Sequence, residues 1–404
     1  MIVYRAAWIL PISSTLIRDG WLAVDGGRVH ACGSGAAPPG RQSDLGRVAI
    51  MPGLVNAHTH LELSWMRGRV PPATDGMVGW VRRMLGIRRA AGQDDPGAIA
   101  AGIAEARATG SALVGDVTNT LAPVPALKAA GMSAVFFYEL IGFNVADSWR
   151  MASEAMDAVA KLEDDRVRGT IAPHAPYSVS PALFRDIARE VDMRKTVSSV
   201  HAGESREEMA FLRDGKGPWR EMLLQFNSWN PKWRPPGCGP IEYLDRLGVL
   251  TGRMLLVHAV QLGANELKRV ADVDATIVTC PRSNVWIGVG EPPIQRFYAS
   301  GARVAIGTDS LASVGDLNLF SELAAARSVA PHVPAGRLLD SATRAGAEAL
   351  GFGGDLGVLA PGARAEAIAV DVPDGVMDVE EYLVSGIAPR QLRWLEVNES
   401  GTRD

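Results

Sequence analysis

Eight apolar segments recur along this chain, each followed by a helical or loop stretch, and that alternation constrains the fold more than anything else in it. They are IMPGLVNAHTH, SALVGDVTN, SAVFFYELIG, GTIAPHAPYS, TVSSVHAGES, RMLLVHAVQL, ATIVTCPRSN and RVAIGTDSLAS, starting at Ile50, Ser111, Ser133, Gly169, Thr196, Arg253, Ala275 and Arg303. Strands that read as continuous apolar runs are buried on both faces, which a repeated strand-then-helix unit achieves by laying helices on a parallel sheet. Eight such units predict an α/β fold, a TIM-like (β/α)8 barrel over residues 49–353. The flanks read differently. Residues 1–48 are short strands with turns at Asp19-Gly20 and Asp25-Gly26-Gly27, and LGVLAPGARAEAIAVDVPDG (Leu356 to Gly375) is again strand and turn. Neither flank is large enough to hold a core alone, so 1–48 and 354–404 are expected to form one small β-sandwich domain.

In a barrel of this kind, polar side chains at the carboxyl ends of the strands do the chemistry. Five of the seven histidines stand there, His58 and His60, His174, His201 and His258, and the eighth strand ends at Asp309. One histidine in such a place reads as a core residue satisfied by a carbonyl; five on one rim closed by an aspartate do not. Residues i and i+2 of a strand share a face, so His58 and His60 can meet one ion. His201 and Asp309 can complete a nitrogen and oxygen set that suits zinc, with iron or another divalent metal open. One divalent ion per chain is therefore expected, most simply Zn2+ with Fe2+ as the alternative. An ion with an open position brings the pKa of its water to about 7. Glu204, in HAGES, is either a carboxylate at a helix start or a proton shuttle beside that water. His258 is either a further ligand or the partner that holds the water, and the second is preferred because four ligands are already present.

Several functions are excluded by totals. A net charge of -4 gives no basic face for phosphates, so nucleic acid is not an expected partner. Cys32, Cys238 and Cys280 are odd in number and without CxxC spacing, which indicates neither disulfides nor a thiolate zinc site and fits a reducing, cytoplasmic setting. The opening AAWILPISSTLI carries a proline and no clear cleavage site, so it is read as strand and not as a signal peptide. No apolar run approaches the roughly 18 to 20 residues of a membrane span.

The ordered set PGLVNAHTH, HAPYSVS, VHAGES, LVHAVQL, CPRSN and GTDSLAS, with LGVLAPGARAE after it, resembles the amidohydrolase superfamily, in its chlorohydrolase and nucleobase-deaminase branch. The resemblance spans nearly the whole chain. It implies a mononuclear site with His58, His60, His201 and Asp309 as ligands, Glu204 as shuttle, and His258 and Asp309 positioning the attacking water. Binuclear relatives carry a bridging lysine, often after strand four, where this chain has APHAPY; His174 is accordingly assigned to substrate.

Within that branch, HTHLELS, DGMVGWVRRML, FFYELIGF and HAGESREEMAFLRDGKGPW are most similar to aminodeoxyfutalosine deaminases of the alternative menaquinone pathway. Deaminases of S-adenosylhomocysteine, methylthioadenosine or adenosine, and related chlorohydrolases, are the alternatives, and a non-catalytic barrel is the remote one. The resemblance implies a small purine nucleoside as substrate and a homodimer or higher homo-oligomer. Glu62, Ser64, Trp80, Glu139 and Arg282 are the further candidates for substrate contact. An arginine fork would suit a substrate carboxylate, with Arg82, Arg83, Arg88, Arg89, Arg206 and Arg282 available and Arg282 chosen. Glu62 is read as a hydrogen-bond partner of the nucleoside or a support for His58. Ser283 and Asn284 are expected to line the pocket. Trp219, Trp229 and Trp233, in the insertion Gly217 to Pro240, are expected to cover the nucleoside or to pack on the barrel.

Overall fold

The computed structural model describes residues 1–91 and 95–396. The end of the predicted terminal domain, 397–404, lies outside the described residues. The strands in chain order are β1 (Ile2–Ile9), β2 (Ile17–Asp25), β3 (Arg28–Ser34), β4 (Arg41–Asp44), β5 (Val48–Pro52), β6 (Leu54–Thr59), β7 (Ser111–Thr118), β8 (Ser133–Leu140), β9 (Val167–Pro173), β10 (Ser198–Ala202), β11 (Met254–His258), β12 (Thr276–Thr279), β13 (Arg303–Ile306), β14 (Ala367–Asp371) and β15 (Leu392–Trp394).

The eight apolar runs supply β6 to β13, and these pair in parallel as two four-stranded sheets, β6-β7-β8-β9 and β10-β11-β12-β13. Two seams close them into the barrel. At one, the His201 N–H donates to the His174 carbonyl at 2.9 Å; at the other, the Asp309 N–H donates to the His58 carbonyl at 3.0 Å. The backbones of the candidate site residues therefore stitch the barrel shut. Gly307 makes the second seam possible, because a Cβ there would stand 2.7 Å from the His58 carbonyl oxygen.

Val55, Ala57, Leu113, Val117, Val135, Phe137, Val257, Val278 and Ala305 form the barrel's own interior, sealed by Leu350, Phe352 and Leu356. The opposite strand faces pack on the surrounding helices in a separate, larger cluster. Helix starts follow local chemistry: Asp95 accepts from the Gly97 and Ala98 N–H groups to cap Pro96–Ala108, and Ser180 caps Pro181–Arg194.

The first predicted barrel strand divides at Gly53. Residues Val48–Pro52 leave the barrel and pair with β1 in parallel and β14 antiparallel, so the boundary expected after residue 48 moves to Gly53. The terminal β domain is one mixed seven-stranded sheet, β15-β14-β5-β1-β2-β3, in which β4 also pairs with β1. It forks because the two halves of β1 have different parallel neighbours, β4 at Ile2 to Arg5 and β5 at Trp8 and Ile9. The apolar opening of the chain is thus strand. Among the described residues no helix is long and apolar enough to cross a membrane.

Candidate active site

Strand alternation carried through from the interior residues Val55 and Ala57 would turn Thr59 inward and His58 out. The pairing of β6 with β7 breaks register between Asn56 and Thr59, and that irregularity rephases the strand. His58 and His60 then reach the barrel mouth, while the Thr59 hydroxyl donates to the Asp309 carbonyl at 3.1 Å. Two other site residues sit where left-handed backbone does the same work: His258 at φ 74° and Asp309 at φ 62°. Such conformations cost non-glycine residues about 1–3 kcal/mol each and persist where the surroundings enforce them.

Donor atoms of His58, His60 and His201 lie within 4.8 Å of one another. Asp309 Oδ1 is 3.7 Å from His58 Nε2 and 3.5 Å from His60 Nε2. His58 Nε2 is buried and has no hydrogen-bond partner among the described residues. A buried imidazole nitrogen left orphaned while aimed at two imidazoles and a carboxylate is what a cation would satisfy. Three nitrogens and one hard oxygen fit a divalent metal of zinc type. Two of these four residues also commit a second atom. His201 Nδ1 lies 3.0 Å from the His174 carbonyl, and Asp309 Oδ2 accepts from the Ser283 hydroxyl at 2.5 Å, leaving Oδ1 for the ion. Burial opposes the Asp309 charge, yet His58, His60 and His258 outweigh it and hold the carboxyl well below the usual range.

Beside this cluster, Glu204 Oε1 is 3.2 Å from His258 Nε2. His258 Nδ1 lies 2.8 Å from Asn284 Oδ1, which keeps the ring proton on Nδ1 and leaves Nε2 to accept. Burial first, then the charges of Asp309 and Glu208, push the Glu204 carboxyl well up. That shift favours the protonated acid, the form that can donate to His258. Burial brings His174 down to about 4, a neutral ring whose Nδ1 is 2.6 Å from the Ser178 hydroxyl.

A cavity of about 300 Å³ opens from these groups, lined also by His174, Glu139, Trp80, Arg88 and Trp219. Trp219 stacks on Tyr177 with ring centroids 3.8 Å apart. Trp229 and Trp233 instead pack with Phe143 and Phe211 and do not line the cavity. Trp80 is buried, and its Nε1 has no partner among the described residues.

Three of the sequence assignments to substrate are corrected. The Arg282 guanidinium is spent on Glu322 at 2.6 Å and Asp316 at 2.9 Å, away from the cavity, because the helix Pro281–Trp286 turns that side chain outward. Ser64 is buried against Gly102 of the helix Pro96–Ala108 and lies off the cavity. Glu62 is buried off the cavity, its Oε2 accepting from the Thr118 and Thr120 hydroxyls at 2.6 and 2.9 Å and its Oε1 from Arg88 Nη2 at 2.8 Å. It supports Arg88, not His58. Ser283 and Asn284 hold Asp309 and His258 from behind and do not line the cavity.

Glu208 was missed. Its Oε1 accepts from the Gly203 N–H at 3.0 Å and its Oε2 from the Glu204 N–H at 2.9 Å, pinning the turn that aims Glu204. The spacing of Ser205 and Glu208 is that of a helix capping box, and the Ser205 hydroxyl does accept from the Glu208 N–H at 3.2 Å. Burial pushes the Glu208 carboxyl from 4.5 up to about 7. The folded state therefore holds this proton more tightly than the unfolded chain. Its stabilising contribution is full below pH 4.5 and is lost as pH rises through about 7. That loss is on the order of 3 kcal/mol. Glu208→Gln is expected to have a flatter fall in urea-unfolding free energy between pH 5 and pH 8 than the wild type; parallel curves would contradict the assignment.

Comparison with known proteins agrees with this geometry. A family model described as the amidohydrolase family matches residues 49–391. A 5-methylthioadenosine/S-adenosylhomocysteine deaminase of Nitratidesulfovibrio vulgaris is 31% identical over 387 residues, covering 89% of this chain and 80% of that protein. An aminodeoxyfutalosine deaminase of Deinococcus radiodurans is 30% identical over 312 residues, covering 75% of this chain and 73% of that protein. The crystal structure of an adenosine deaminase from Xanthomonas campestris with bound zinc superposes with a TM-score of 0.80 at 27% identity, covering 97% of this chain and 90% of that one.

Proposed function

The chain belongs to the amidohydrolase family, and from that premise we propose that it is a metal-dependent hydrolytic deaminase of an adenine-containing nucleoside, releasing ammonia. The observation that carries this reading is the buried Glu204 set against His258 at 3.2 Å beside a metal-type ligand cluster, lining a cavity. His58, His60, His201 and Asp309 would hold the ion, zinc first by its donor set and ferrous iron second. When bound, that ion lowers the pKa of a water and so supplies the nucleophile near neutral pH.

The chain's own residues do the rest. Glu204 protonates the purine ring nitrogen next to the amino-bearing carbon, so that the carbon accepts the attacking oxygen. As Glu204 gives its proton to the ring, His258, its Nδ1 proton fixed by Asn284, has Nε2 free to orient the water and take a proton from it. Asp309, anchored through Oδ2 by Ser283, keeps its charge close by. The emptied Glu204 takes up the proton of the newly formed hydroxyl and delivers it to the departing amine, and the proton held by His258 returns to Glu204 to restore the acid. The two protons of one water thus end on the ring nitrogen and the ammonia. His174 and Trp80 contact the nucleoside, and the Trp219–Tyr177 stack excludes bulk water.

Among adenine nucleosides, aminodeoxyfutalosine, and with it a place in menaquinone biosynthesis, is supported by the Deinococcus relative and by an arginine in the cavity. Methylthioadenosine and S-adenosylhomocysteine are supported by the Nitratidesulfovibrio relative. Ammonia release from zinc-loaded protein is to be measured with aminodeoxyfutalosine, methylthioadenosine, S-adenosylhomocysteine and adenosine. Turnover of at least one is expected, with about one divalent ion per chain. Failure on every adenine nucleoside would sink the deaminase reading.

A further inference from the structure

We propose that Arg88 selects nucleosides carrying an anionic group, a carboxylate or a phosphate, beyond the sugar. This rests on the deaminase reading and names the class of substrate within it. Among the described residues, Arg88 is the one lysine or arginine that lines the cavity. It comes from the helix Gly76–Ala91, whose other cavity-facing side chains, such as Met77, Val81 and Met84, are apolar. A lone cation on an otherwise greasy wall is costly to desolvate unless something fixes it and something answers it.

Glu62 does the fixing. It is buried, and its Oε1 accepts from Arg88 Nη2 at 2.8 Å. Nη1 makes only a long contact of 3.4 Å to Asn119 Oδ1. A guanidinium carries five N–H donors, and the remainder have no partner among the described residues. The side chain keeps 26% exposure, open to the cavity, where a purely structural ion pair would be enclosed. Two parallel donors match the two oxygens of a carboxylate or phosphate better than a hydroxyl, which offers one.

The location fits the far end of a nucleoside. Glu139 Oε1 lies 3.5 Å from His201 Nδ1, and Asn119 Nδ2 donates to Glu139 Oε2 at 2.9 Å before Asn119 reaches Arg88. Arg88 is therefore two side chains out from the ligand cluster. With the amino-bearing carbon at that cluster, Arg88 faces what the purine carries away from it.

The test compares adenosine, adenosine 5′-carboxylate and adenosine 5′-monophosphate on zinc-loaded wild type, Arg88→Gln and Arg88→Lys, by initial rates of ammonia release. The wild type is expected to prefer an anionic nucleoside to adenosine, and the anion with the larger preference tells carboxylate from phosphate. Arg88→Gln is expected to lower the anionic-to-neutral ratio of kcat/KM by roughly 10- to 100-fold, chiefly through KM, and Arg88→Lys to restore part of it. An unchanged ratio in Arg88→Gln, or an equal loss on all three compounds, overturns the proposal. Calorimetric binding of inosine and inosine 5′-carboxylate reads the same preference without turnover. An Arg88-dependent preference with no ammonia release would reject only the deaminase reading; ammonia release with no such preference would reject only the role of Arg88.

Discussion

Glu204→Gln is expected to keep its metal and lose turnover, with kcat down by roughly 10³- to 10⁴-fold. The amide has the volume of the carboxyl it replaces. Its NH2 can donate to His258 Nε2, 3.2 Å away, as the protonated acid does, so the His258–Asn284 pair keeps its arrangement. The one property removed is the exchangeable proton. Because burial and the charges of Asp309 and Glu208 already favour the neutral form of Glu204, a neutral amide of the same volume suits the site. Melting temperature and metal content at the wild-type level alongside lost ammonia release would assign the loss to proton transfer. A kcat within about tenfold of wild type would strip Glu204 of the shuttle role.

That role, like much of the site, can be read in the chain because strand-end positions are local in sequence: an apolar run, then the residue that follows it. His58 with His60, then His174, His201, His258 and Asp309, stand at the ends of five of the eight runs, and barrel geometry brings such ends to one rim. What could not be read is set by direction and by long-range pairing. That the two histidines of β6, and not Thr59, face the mouth depends on a register break against β7, a property of two strands more than 50 residues apart. Arg282 and Arg88 look alike in sequence. One turns toward Glu322 and Asp316 on the outside of the barrel and the other into the cavity, and the partners that decide this come from distant segments. Ser64 belongs to the same motif as His60 yet is buried against Gly102, because the short helix after His60 rotates it away from the mouth. Glu208 is the exception, since its capping-box spacing with Ser205 was visible in the chain and its second task, holding the Glu204 turn, was not. Helix caps are read by spacing; the use of a cap to aim Glu204 is a tertiary fact.

Stripping the metal should have the largest effect on rate and a clear one on stability. Without a cation, His58 Nε2 is a buried acceptor with no partner, and desolvation alone costs such a group about 1–3 kcal/mol. Protonation does not relieve it, because burial lowers the affinity of His58, His60 and His201 for protons and each ring repels charge on the next, their centroids lying 4.9 to 5.7 Å apart. The fold nonetheless holds these rings in place, since the His58 and His201 backbones close the two seams of the barrel. Metal binding therefore acts on a preformed site and adds to folding by mass action, about 4 kcal/mol at a free ion concentration a thousand times Kd. Dialysis against a strong chelator is expected to bring ammonia release to background, at least roughly 10³-fold down, and to lower the melting temperature, with zinc restoring both. His58→Ala should reproduce the loss of activity and bound metal and should not recover on adding zinc at concentrations that restore the stripped wild type, because the site then lacks one of its three imidazoles. Full activity at a measured metal content below about 0.05 ion per chain would mean that the cluster is structural and that the nucleophile arises elsewhere.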